Sequence, residues 1–145
     1  MFLSVLPSVM SVIAGLVGAF LVIIAAEVFS EIYHPWPAGA DKSDFEVCKA
    51  HVARYPTWVL AACTAIWAIA PFAGAFVATW LGSGRHAAHG IFVGAILLAL
   101  AGFNMAMLPY PLWYPIVNLI TFPLGTFLGI RLARGRHALQ PVGTR

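Results

Sequence analysis

Three stretches of this chain carry no Asp, Glu, Lys or Arg: the first 26 residues, the 30 between Arg54 and Arg85, and the 45 between Arg85 and Arg131. A surface facing water cannot be built from such a sequence. The whole 145-residue chain is 61% hydrophobic and only 9% charged, whereas soluble domains run at about 25% charged. A helix needs about 20 apolar residues to cross a hydrocarbon core of about 30 Å. The first two stretches therefore hold one span each. The third would extend to roughly 67 Å as one helix, too long for a single crossing, and Pro109-Tyr110-Pro111 near its middle supplies the break. The reading is an all-α membrane protein, a bundle of four transmembrane helices forming one domain over 1–145. Spans are expected at about 6–32, 57–81, 87–108 and 112–132, with an outer loop at 33–56 and a cytoplasmic tail at 133–145.

Charge placement orients the bundle. With both termini on one side, that side receives Arg85, Arg131, Arg134, Arg136 and Arg145 and no acid. The other side receives Lys42, Lys49 and Arg54 together with Glu27, Glu31, Asp41, Asp44 and Glu46. The positive-inside rule then puts both termini in the cytoplasm. Tyr33, Trp36, Tyr55, Trp58, Tyr110, Trp113 and Tyr114 gather at the opposite, outer boundary, as interfacial aromatics do. Ala38-Gly39-Ala40 has the look of a signal-peptide cleavage site, but the apolar stretch before it is too long and lacks a basic leader. The first segment is expected to be retained as a helix.

The outer loop carries Ser43-Asp44-Phe45-Glu46, which reads as a capping box opening a short amphipathic helix from about Asp44 to Arg54. A trace of duplication runs through the chain. Gly74, Phe76, Leu81 and Gly84-Arg85-His86-Ala87 recur at Gly125, Phe127, Leu132 and Gly135-Arg136-His137-Ala138, and Val17-Gly18-Ala19 recurs at Val93-Gly94-Ala95. Two repeated hairpins fit that pattern, although chance matches between Gly- and Ala-rich helices would give a similar trace. Helix packing is assigned to small-residue positions that let backbones approach: Gly15, Gly18, Gly74, Gly90, Gly94, Gly125 and Gly129. Pro71 and Pro123 lie inside spans and are expected to kink them.

Glu27 is the first residue that demands an explanation. A carboxylate within a span is costly and should face the bundle or a water-filled cavity. Glu31 lies one turn on, and Asn104 and Asn118 come from the outer ends of the third and fourth spans. These four residues form a candidate polar or ion site with Glu27 as the titrating group. The plainer alternative is a Glu27 that hydrogen-bonds between helices and a Glu31 that meets headgroups. A sharper possibility is metal. Glu31-xx-His34 and Cys48-xx-His51 each set two ligand types one helical turn apart, and together could hold zinc tetrahedrally. Isolated loop histidines are the commoner explanation, and no CxxC or HExxH motif accompanies them. Cys63 reads as an apolar filler, and His86 and His89 as interfacial polar residues. Arg131, Arg134 and Arg136 are assigned to anionic lipid headgroups.

No phosphate-binding loop, haem-attachment motif or catalytic triad pattern is present in the sequence, and the basic segments are too small for a nucleic-acid module. Catalysis is therefore a poor first guess, and no cofactor is required.

Tyr33 followed by Pro35-Trp36-Pro37-Ala38-Gly39-Ala40-Asp41 and Asp44, with Asn104 and Pro109-Tyr110-Pro111-Leu112-Trp113, resembles the pattern of a family of small bacterial four-helix integral membrane proteins of uncharacterised function. The resemblance spans most of the chain. It implies four spans and a bacterial inner membrane, and transfers no activity. The leading expectation is a non-catalytic accessory or scaffold component that packs through its Gly/Ala faces, as a homo-oligomer or as a subunit of a larger membrane complex. The alternative is a small oligomeric transporter or channel for protons, cations or small solutes that uses Glu27. A third reading is a metal-binding or redox helper at the outer loop.

Overall fold

The computed structural model describes residues 2–135, so Arg136 and the rest of the tail lie outside the described residues. The chain forms α1 (Phe2–Tyr33), α2 (Phe45–Val52), α3 (Thr57–Leu81), α4 (Ala87–Met107) and α5 (Trp113–Gly135), with no strand among the described residues. Four of these, α1, α3, α4 and α5, are long and apolar enough to cross a membrane. The protein is thus an all-helical, multi-pass membrane bundle with a short fifth helix between its first two spans.

Local chemistry sets the boundaries. Leu108, which closes α4, takes φ −114° and ψ 146°, the extended conformation that a following proline imposes. The turn between α3 and α4 passes through Gly84 at φ +65°, a left-handed conformation that glycine adopts without a Cβ penalty. Pro71 and Pro123 do not end their helices; α3 and α5 run on through them. Spans tolerate proline because neighbouring helices and local adjustments satisfy the freed backbone groups.

The short helix forms where expected but is capped differently. Asp44, not Ser43, is the N-cap, its carboxylate accepting from the Glu46 and Val47 amides. Ser43 instead turns back, its hydroxyl donating to Asp41 Oδ1 at 2.6 Å. Asp41 sits two residues away and competes successfully for the serine, leaving the cap to the next oxygen along the chain.

In the bundle, α3 is the central rod, packing on α1, α5 and α4, while α4 also touches α5 and α1. The small-residue stripes make these seams. A methyl built at Gly15 would lie 2.6 Å from the Gly74 carbonyl oxygen across the α1–α3 seam, and one at Gly125 would lie 2.9 Å from the Ala68 carbonyl oxygen across α3–α5. Gly74, Gly90, Gly94 and Gly129 are equally confined by other helices of the same chain, whereas Gly18 meets only a Val77 methyl at 3.7 Å. Ala19, Ala70 and Ala78 fill the remaining space with no exposure. Large side chains turn outward instead: Ile13, Val17, Leu21, Ile24 and Val28 on α1 are all exposed, as a lipid-facing surface requires.

The sequence repeat is not matched by symmetric packing. Gly74 is enclosed by Gly15 and Ala19 of α1 and by Val93 of α4, while its counterpart Gly125 is enclosed by Ala68, Pro71 and Phe72 of α3. A two-fold arrangement of hairpins would have seated Gly125 on α4. At the end that holds every acid, Tyr33 and Phe29 meet Trp58 at ring-centroid distances of 5.4 and 6.5 Å. These rings mark the polar–apolar boundary.

Candidate functional site

At the acidic end, the segment between α1 and α3 folds back over the helix ends and roofs a cavity of about 160 Å³. Each wall comes from a different element. Glu27 and Ser30 come from α1, Cys63 and Trp67 from α3, Asn104 from α4 and Tyr114 from α5. The roof is Trp36, Cys48 and His51, and Tyr55 and Tyr110 close the sides from the connections.

The roof is held by ring stacking. His51 lies between Trp36, 3.9 Å away at an interplanar angle of 13°, and His34, 4.3 Å away at 24°. His34 Nε2–H donates to the His51 carbonyl oxygen at 3.2 Å, which fixes the His34 tautomer because a carbonyl can only accept. His51 itself is 5% exposed and its Nε2 has no hydrogen-bond partner among the described residues. Burial holds the His51 pKa below its ordinary value, and the nearness of His34, Lys42 and Arg54 lowers it further. The imidazole is accordingly held neutral at neutral pH.

Hydroxyls tie the walls together. Tyr55 donates to Ser30 Oγ at 3.2 Å, and Ser30 donates to the Glu27 carbonyl oxygen at 3.0 Å. Tyr110 donates to Asn104 Oδ1 at 3.3 Å and stacks on Tyr114 at 4.4 Å. Burial raises the Tyr55 and Tyr110 pKa values, with the negative charge of Glu27 adding to both. Both phenols therefore remain protonated donors.

The candidate polar set divides in two. Glu27 and Asn104 line the cavity. Glu27 is also exposed on the chain's surface, so it forms the cavity's rim and not its floor. Among the described residues its carboxylate has no ion-pair partner; the acids that do are Glu31, paired with Lys42 at 2.7 Å, and Glu46, paired with Lys49 at 2.8 Å. Glu31 thus points away from the cavity into an exposed ion pair. Asn118 is fully buried one turn deeper, its Nδ2 donating to the Tyr114 carbonyl oxygen at 2.8 Å while Oδ1 has no partner among the described residues.

The four candidate metal ligands do not converge. Glu31 is taken by Lys42, the Cys48 thiol reaches the Lys42 carbonyl oxygen at 3.3 Å, and His34 and His51 stack face to face. No group of three or more His, Cys, Asp or Glu with metal-holding geometry occurs among the described residues. Of the lipid-headgroup candidates, Arg131 and Arg134 are exposed at the opposite end of α5.

Sequence reasoning missed the inward role of the aromatics. Trp36, Tyr55, Tyr110 and Tyr114 were expected at the outer boundary; they are at that end, but they turn inward onto the cavity. The available signal was clustering, since each lies beside a proline in Pro35-Trp36-Pro37, Tyr55-Pro56, Pro109-Tyr110-Pro111 and Tyr114-Pro115. No protein-family model matches the chain, and no curated protein or solved structure matches it either.

Proposed function

We propose that this is a small solute-handling membrane protein, of the transporter or channel class, that takes a small cation into the cavity at its acidic end with Glu27 as the counter-charge. The observation that carries the reading is a carboxylate in an apolar span, without an ion-pair partner among the described residues, on the rim of an aromatic-lined cavity. Aromatic faces attract cations electrostatically, and a carboxylate at membrane depth is stabilised by a proton or a cation partner. The Tyr55 and Tyr110 hydroxyls can orient a solute that also accepts a hydrogen bond.

The accessory or scaffold reading is less well supported, because the glycine faces that would have docked a partner are occupied by helices of the same chain. We further propose a bacterial inner membrane with both termini cytoplasmic, supported by the arginine bias and the family resemblance. A homo-oligomer is supported by Glu27, whose exposed side would be covered by a second copy.

The test uses proteoliposomes titrated with tetramethylammonium chloride against sodium chloride, with pH varied separately and tryptophan fluorescence as the readout, since Trp36 and Trp67 line the cavity. The expected result is a saturable response to the organic cation or to protons that disappears in Glu27→Gln and persists in Glu31→Gln. A wild type that responds to neither, or an undiminished response in Glu27→Gln, would refute the proposal and favour the scaffold.

A further inference from the structure

A second feature lies at the opposite end of the molecule, on the surface between α4 and α5. Two depressions run together there. The one nearer the arginine end, about 500 Å³, is lined by Ala87, Ile91, Phe127, Ile130, Arg131 and Arg134. The other, about 240 Å³, continues along the same two helices from Ile91 and Phe127, which it shares, to Leu98 and Pro123. From Ala87 to Leu98 the groove spans about 16 Å of helix, close to half of a hydrocarbon core of about 30 Å.

Charge and polarity change along this groove in one direction. At its mouth stand two guanidinium groups; Arg131 is held over the Phe127 ring with its Cζ 5.4 Å from the centroid. Neither arginine has an ion-pair partner among the described residues. The described acids all lie at the other end of the bundle, on α1, α2 and the segment joining them. His86, the N-cap of α4 at the same mouth, makes no side-chain cap hydrogen bond among the described residues, so helix-end amides add to the positive field there. Deeper in, the lining is Gly94, Ala95, Leu98, Pro123 and the Thr126 side chain, and the Thr126 hydroxyl is already committed to the Phe122 carbonyl oxygen at 2.9 Å.

We propose that this groove is a binding site for one anionic phospholipid, whose phosphodiester is held by Arg131 and Arg134 and whose acyl chain lies in the α4–α5 groove. A free phosphate would use the mouth and leave the groove empty. A neutral lipid would use the groove and leave two guanidinium groups without a counter-charge. An anionic lipid satisfies both halves. This site is independent of the cation cavity, and it assigns to a built pocket what a basic tail alone would do only diffusely.

The experiment is native mass spectrometry of the full chain released from nanodiscs of phosphatidylglycerol and phosphatidylcholine in equal amounts, with a parallel thermal-stability series in inorganic phosphate. The expected result is one retained phosphatidylglycerol per chain, preferred over phosphatidylcholine on the order of tenfold. The preference should vanish in the Arg131→Gln, Arg134→Gln double variant, which leaves Arg136 and Arg145 in place. Ala95→Phe, an exposed position that keeps every arginine, should lower retention of both lipids by filling the groove. Circular dichroism and melting in phosphatidylcholine establish that each variant is folded. The proposal is overturned if the double variant keeps the preference, if Ala95→Phe retains lipid as the wild type does, if inorganic phosphate stabilises as well as the lipid, or if the chain emerges as a lipid-free dimer.

Discussion

Replacing Gly15 by alanine tests the packing on which the cavity depends, because the α1–α3 seam holds Glu27 and Ser30 against Cys63 and Trp67. An added methyl would sit 2.6 Å from the Gly74 carbonyl oxygen and 2.7 Å from Ala78 Cβ. Carbon atoms in comfortable contact are about 3.5–4.0 Å apart, so the two helices would have to separate by about 1 Å. Neither obstacle can rotate aside, since one is backbone and the other a Cβ. Overpacking of this kind costs about 1–3 kcal/mol. Alanine also gains up to about 1 kcal/mol over glycine in a helix interior, which would mask part of the loss. Gly102→Ala removes that ambiguity: the site lies inside α4 and has nothing within 4 Å of an added methyl. The propensity gain cancels when the two variants are compared, leaving the steric term. Reversible unfolding in mixed dodecyl sulfate micelles, followed by circular dichroism, should show Gly15→Ala less stable than Gly102→Ala by about 1–3 kcal/mol. Equal stabilities would mean that α1 and α3 are not in backbone contact, and the cavity geometry built on that contact would fail with them.

Two further outcomes follow from the buried polar groups. His51 has its pKa held below the ordinary 6.5 by burial and by the nearness of His34, Lys42 and Arg54, so the open cap takes up a proton before the closed one does. Cap stability is then full above pH 6.5 and is lost as the pH falls through the depressed folded value; the protection factors of the α2 amides, taken relative to their intrinsic exchange rates, should fall over that window, and His51→Gln should abolish the acid limb. An α2 whose exchange shows no such acid limb would contradict the stacked roof. Asn118 leaves its Oδ1 unpartnered in a fully buried setting, and an unpaired buried polar atom costs about 1–3 kcal/mol. Asn118→Leu should therefore be neutral or stabilising in the same unfolding assay, while a clear destabilisation would show that Oδ1 has a partner.

What could be read from the chain alone was whatever depends on local, additive quantities. The absence of charge over Met1 to Ala26, Tyr55 to Gly84 and His86 to Ile130 determines four crossings, because the cost of burying charge in lipid is summed residue by residue. The proline pair around Tyr110 determines where the long third stretch turns. The same additive reasoning placed every acid at one end. It also pointed to small residues as the places where helices can approach, and of the glycines it named all but Gly18 lie tight against another helix.

Only the tertiary structure decided which way those helices face and what lies over them. A helix that is apolar nearly all round gives no amphipathic signal for its rotation, so the periodicity of α5 did not announce that Tyr114 turns inward while Ile116 and Leu119 turn out. The return of Trp36, Cys48 and His51 over the bundle is set by stacking between His34, His51 and Trp36, rings from separate parts of the connecting segment. Glu31 and Asn118 were grouped with Glu27 by helical level, but an exposed Lys42 claims one and the α5 backbone the other. Level along a rod is readable from sequence spacing. Azimuth around it depends on side chains distant in the chain competing for the same space, and that competition is resolved only when the helices pack.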